Sequence, residues 1–207
     1  MSYINRNRNQ QVLNSQAYIN LIKESRFGMT QLAYMTREYL VAVFSGFGNA
    51  EAIANRLYSL PTQLHEKTQL IFGVPASEEL THLLSMHVAY VISLANALLI
   101  GDQAAADYSV QQLYQNADDI AALYAKINPF WSETEMRALF YNYNSLMIQD
   151  AIALASRDFE KDMDIFDRML LSALLMGDYH AEGLLEYIMA TGQNRGGESE
   201  TSGGNWG

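Results

Sequence analysis

The sequence predicts an all-α fold, an antiparallel bundle of about six helices built from three helical hairpins. Three observations carry that prediction. Apolar residues recur at three- and four-residue spacing over long stretches, the period of a helix with one buried face. Only three prolines occur in 207 residues, while Ala, Leu, Met and Tyr are frequent and 49% of the chain is hydrophobic, a mix that favours helix and can fill a core. The breaks between periodic stretches carry helix-ending and helix-starting residues in the right order.

Residues 1–9 are polar and are expected to be a flexible N-terminus. A helix follows from about Gln10 to Phe44, with Val12, Leu13, Ala17, Leu21, Leu32, Met35, Tyr39 and Val43 in helical register. Gly28 stands where it would kink that helix or divide it. After "SGFGNAEA", Asn49 is the expected N-cap of a helix from Ala50. Pro61 is expected to interrupt it, with a second piece reaching Phe72. In "GVPASEEL", Ser77 reads as the N-cap of the next helix, which runs to Ile100. Gly101 suits a left-handed C-cap and Asp102 an N-cap, and a further helix then reaches about Lys126.

The stretch "INPFWSETEMRALF" (127–140) is the joint between two helices. Pro129 removes a backbone donor and pushes Asn128 out of helical geometry. Ser132 and Glu135 have capping-box spacing, in which each side chain accepts from the other residue's backbone N–H. Trp131 precedes the cap and Met136 is the fourth helical residue, the spacing of a hydrophobic staple. Pro129, Trp131, Ser132 and Glu135 thus each have a structural role. The last two helices span about 133–156 and 159–190, with Asp158 as cap. One helical domain over 10–190 results, followed by a Gly- and Ser-rich tail, 191–207, whose composition predicts disorder and which carries Trp206.

The punctuation recurs. Asn49, Asp102 and Asp158 each cap the second helix of a pair, 53 and 56 residues apart, and Pro75 and Pro129 lie 54 apart. This spacing is the source of the three-hairpin expectation. The expected core stripes carry Leu80, Leu83, Leu84, His87 and Val91 on one helix. Leu139, Leu146 and Ile152 serve the next but one, and Ile165, Phe166, Met169, Leu170 and Ala173 the last.

Several chemistries are excluded. Without cysteine there is no disulfide, thiolate metal site or cysteine nucleophile. The net charge of −10 is uneven: residues 1–100 carry seven Lys/Arg against six Asp/Glu, and residues 101–190 five against fifteen. Phosphate binding rests on Lys/Arg, so nucleic acid is not an expected partner. Phosphate loops, dinucleotide glycine patterns and serine-nucleophile elbows are all missing from the sequence. No catalytic residue and no cofactor are therefore expected. No signal sequence opens the chain, and polar residues break every apolar stretch. No membrane span is expected, and the location these features imply is cytoplasmic.

Two weaker sites stand out. Glu79 and His82 lie one helical turn apart and could share a metal, although a ferritin-like centre needs two Glu-x-x-His pairs and this is the only one. His87 sits on the apolar face beside Leu83, Leu84 and Val91. With Tyr90 and Tyr143 it is the candidate ligand-binding set. The carboxylate-dense "DFEKDMDIFD" (158–167) lacks the Gly and Glu of a calcium loop and reads as a solvated helix face.

The second half resembles a family of small all-helical proteins of Gram-positive, often spore-forming bacteria. Many of these carry the mistaken label acetylglutamate kinase. The resemblance rests on "GDQAAAD", "YQNADDIAALYAKINPFWSETEMRALF" and "DFEKDMDIFDRMLLSALLMGDYHAEGLLEYI", and covers roughly residues 80–190. "MTREYLVAVFSG" and "HEKTQLIFG" match loosely. It implies a helical fold and an association with spores. Members tend to place a His on each of three core helices. Here His87 keeps one, while Tyr143 and Leu32 occupy the other two places. Amino acid kinase activity is rejected, because nothing here resembles the sheet and glycine loop that chemistry needs. The function expected is that of a non-enzymatic bundle acting through a protein partner or a homo-oligomer. A bundle holding a small ligand or metal near His87 is the alternative.

Overall fold

The structure is a computed structural model that describes residues 2–197, with side-chain environments for residue 16 and residues 18–192. Six helices account for it: α1 (Ser2–Ser45), α2 (Ala50–Phe72), α3 (Val74–Ile100), α4 (Gln103–Ile127), α5 (Glu133–Ala155) and α6 (Phe159–Gly197). Among the described residues there is no strand. The all-α prediction holds, with six helices.

Each helix packs on its neighbour in the chain, and α1 closes the bundle by packing most extensively on α6. The most extensive pairing joins the first helix to the last, and α3–α4 and α5–α6 follow it, while α1 packs less on α2. The first and last helices run antiparallel. Ser25 meets His180, Arg26 pairs with Asp178, the Tyr34 ring meets Phe166 edge-on, and Arg37 pairs with Asp162. Gly177 lets the backbones approach, since a Cβ there would lie 2.7 Å from Arg26 Cα. One core cluster centres on Val91, Leu94, Leu113, Ile120, Phe140 and Met169. A second joins Tyr39 and Leu40 to Leu57, Val88, Ala151 and Leu154.

The turn chemistry is partly as expected. Gly101 adopts φ 74°, and Asp102 accepts a hydrogen bond from the Ala105 N–H at 3.0 Å. Asp158 accepts from the Lys161 N–H at 3.3 Å, after Arg157 takes the left-handed φ of 60° that a glycine would usually supply. Ser77 is not a cap. The helix starts three residues earlier, after Gly73, because Pro75 fits a first turn where no N–H is needed. The buried Ser77 hydroxyl instead donates to the His65 carbonyl at 2.7 Å, tying α3 to α2. Asn49 contributes its backbone carbonyl to Ile53 N–H but no side-chain cap bond.

Several helix limits differ from those expected. The first helix begins at Ser2, so the segment 1–9 expected to be loose is helical from its second residue, and the helix passes Gly28 unbroken. Pro61 does not interrupt α2. Its ring is buried, and the helix is held on both sides of it, by Leu57 before and Thr68 after. At the other end α6 continues past Ala190 to Gly197, over the start of the expected tail. Residues 198–207, with Trp206, lie outside the described residues. Finally, α3 is long and apolar enough to cross a membrane by length and composition, against the expectation that no segment is. Its interruptions, His82, His87, Ser93 and Asn96, are uncharged or only weakly basic, and in the fold Leu80, Val88, Val91 and Leu94 face the core.

Candidate functional site

The joint after α4 is built as a clamp. Asn128 is fully buried. Its amide donates to the Gly183 carbonyl of α6 at 2.9 Å, and its side-chain oxygen accepts from Phe130 N–H at 2.9 Å. Pro129 is exposed and ends the helix, while Trp131 turns inward. The indole stacks on His180 at 5.0 Å and meets Tyr124 edge-on at 4.8 Å. Gly183 is required beneath it, because any Cβ there would overlap the indole ring. Trp131 and Met136 enter the same core cluster, while Phe130 stays exposed. Ser132 accepts from Glu135 N–H at 3.4 Å, one half of a capping box. The other half is relayed. Ser132 N–H donates to the Tyr179 hydroxyl at 2.7 Å, and that hydroxyl donates to Glu135 Oε2 at 2.9 Å. The cap is thereby fastened to α6. His180, whose Nδ1 lies 3.1 Å from the Ser25 hydroxyl, is pushed down to about 4 by burial.

A second polar group of residues crosses the interior at the N-terminal end of α6, and it is built differently. Arg37 (α1) donates through Nη2 to Asp162 Oδ2 (α6) at 2.6 Å, with its guanidinium 4.7 Å over the Phe166 ring. Asp150 (α5) is fully buried beside them. Further along α5 lies Tyr143, with Thr36 of α1 at its hydroxyl and the His87 ring of α3 at 6.4 Å. Among the described residues, both ring nitrogens of His87, the Tyr143 hydroxyl, both oxygens of Asp150, Asp162 Oδ1 and Arg37 Nε have no hydrogen-bond partner. Buried polar atoms are rarely left so.

Protonation follows from that isolation. Burial pushes His87 down to about 4, so its imidazole is neutral. Burial likewise raises the Tyr143 phenol, with the nearby Thr36 hydroxyl opposing and the Asp150 charge reinforcing. Asp150 is raised to about 8 by burial first and by the Asp162 carboxylate next, against the attraction of Arg37.

The residues expected from sequence separate into three groups. His87 and Tyr143 come together in the interior. Tyr90 is half-buried against the main core and makes no ring contact with either. Glu79 and His82 are both exposed, and Glu79 pairs with Lys126 at 3.4 Å. Among the described residues no three His, Asp or Glu side chains gather as a metal site. The two cavities described, of about 310 and about 260 Å3, flank the C-terminal end of α1 and are lined by Tyr39, Val43 and Phe47, and by Phe44, Leu154 and Arg157. Neither is lined by His87, Tyr90 or Tyr143.

Sequence reasoning missed Asp150, Asp162 and Arg37. Of the expected α5 stripe, Leu146 is buried and Leu139 packs against the core, but Ile152 is exposed; the buried face also runs through Met136, Phe140, Tyr143, Met147, Asp150 and Leu154. Read at that register, Asp150 occupies an apolar position, which is the signal that would have found it. Asp162 likewise precedes Ile165, Phe166 and Met169 on the buried face, so "DFEKDMDIFD" is a solvated face except at this one carboxylate.

No protein family, curated protein or solved structure matches the chain, so the family resemblance rests on the quoted residues alone.

Proposed function

We propose that the protein works by binding a protein partner or assembling with itself, without catalysis, and that the outer face of the α1–α6 pair is the contact surface. The observation that carries this reading is the apolar character of that face. The pairs Arg26–Asp178 and Tyr34–Phe166 bracket a segment in which Phe27 is 67% exposed on α1, and Leu171 and Leu175 are 58% and 52% exposed on α6. Tyr34 and Met163 extend it. Single exposed apolar side chains are ordinary, but a cluster along one interface of two helices marks a contact surface.

Size-exclusion chromatography with light scattering tests it on the untagged chain. The wild type should run at a multiple of 23.3 kDa or co-purify with a protein partner, and L171E/L175E should run as a monomer without one. Assembly that survives the double substitution would remove this face from the reading.

The competing reading, a small ligand or metal at His87 with Tyr143, has in its favour the two unpartnered ring nitrogens. A monomer that retains a stoichiometric small molecule or metal in native mass spectrometry would establish it over the first.

A further inference from the structure

We propose that Asp150 and Asp162 share a single proton at neutral pH, held on Asp150 and donated to Asp162, and that releasing it loosens the junction of α1, α5 and α6. Three geometric facts carry the proposal. Asp150 is wholly buried, and neither of its oxygens has a donor. Asp162 is buried, with one oxygen on Arg37 and the other without a donor. Arg37 supplies one positive charge, so two ionised carboxylates would leave a net negative charge in the core, the most expensive arrangement available to them. A proton on Asp150 turns it into a donor, fills the empty acceptor site on Asp162 and leaves one carboxylate for one guanidinium.

The groups facing Asp150 are few. Asp162 comes from α6 and Arg37 from α1; Tyr143 stands two turns away on α5 itself, with the neutral His87 of α3 beyond it. Among the described residues, no charge on α3 or α4 acts on Asp150. Asp150 lies one turn before the end of α5 and Asp162 one turn into α6, so ionisation strikes the base of the α5–α6 hairpin where α1 crosses it.

The sign follows from the raised value. The unfolded chain releases this proton near the ordinary carboxyl range, and the folded chain keeps it up to about 8. Its stabilising contribution is complete below the ordinary carboxyl value and is lost as pH rises to about 8. His87 and His180, both lowered to about 4, act oppositely: their contribution is complete above the ordinary histidine value and is lost as pH falls toward 4. The alkaline side of the window, from the ordinary histidine value up to about 8, therefore isolates Asp150.

Asp150→Asn is the deciding substitution, because the amide copies the protonated carboxyl and can donate to Asp162. Wild type should show an infrared band of a protonated carboxylic acid at pH 7 that D150N lacks. Its folding equilibrium, from chemical denaturation, should fall by up to about tenfold per pH unit between pH 6.5 and 8. D150N should be flat over that range and should keep the acid-side loss due to the histidines. Absence of the acid band at pH 7, or an unchanged alkaline slope in D150N, would overturn the proposal. If D150N fails to fold, the band and slope of the wild type still decide, with D162N as the second variant, which removes the partner charge that raises Asp150 and should move the alkaline loss to lower pH.

Discussion

The middle of α6 and its N-terminal end handle buried polarity in opposite ways. Near Trp131, Ser132, Tyr179 and Glu135 bond one another, Asn128 bonds Gly183 and Phe130, and His180 lies at the Ser25 hydroxyl; among the described residues Trp131 Nε1 is the one buried side-chain atom there without a partner. At the Asp162 end, His87, Tyr143, Asp150, Asp162 and Arg37 leave seven polar atoms unpartnered. The first behaves as a fastening: Asn128, Ser132 and Tyr179 serve backbone N–H groups left free at the break between α4 and α5, and Asn128 and Tyr179 also tie that break to α6. The second has no break to repair. Its polar groups lie on apolar faces, His87 and Tyr143 mid-helix and Asp150 and Asp162 a turn from the α5–α6 turn, where they weaken packing and make it depend on protonation. What the difference teaches is that partner count, more than burial, separates polar groups that hold a fold from those able to respond to conditions.

Three substitutions break or sharpen this contrast. Trp131→Ala should have the largest effect, about 3–5 kcal/mol of destabilisation in urea titration, because it removes a buried ring packed on Tyr124 and His180. A loss under 1 kcal/mol would mean that the clamp is dispensable. Asn128→Ala should cost about 1–3 kcal/mol by the same measurement, since it removes the bonds to the Gly183 carbonyl and the Phe130 N–H. His87→Leu should be nearly neutral or stabilising at pH 7, because no hydrogen bond is lost. It should also reduce the loss of stability between the ordinary histidine value and pH 4 without abolishing it, because His180 still titrates. If His87→Leu proves as damaging as Asn128→Ala, the interior line is a fastening too and the contrast fails.

Most of the fastening was legible in the sequence, and little of the titrating site was. Pro129, Ser132 and Glu135 act within a few residues, so spacing alone places them. Even there the Tyr179 relay could not be read, because it joins positions 47 and 44 residues apart. His87 was visible as a polar residue in an apolar stripe. Asp150 and Asp162 were hidden by the wrong register on α5 and by four neighbouring carboxylates that do face solvent, Asp158, Glu160, Asp164 and Asp167.

By itself the sequence determined that the chain is helical, where α4 and α5 stop and start, and that Gly101, Asp102, Ser132 and Asp158 punctuate them. These are local effects of backbone geometry and capping, felt over three or four residues. Only the tertiary structure decided that α1 closes on α6, that Pro61 is carried through an intact helix, that Ser77 reaches α2, and that one arginine and two aspartates meet between three helices. Each of these depends on which surfaces are buried against which, and burial sets both the strength of a hydrogen bond and the charge a carboxyl can keep.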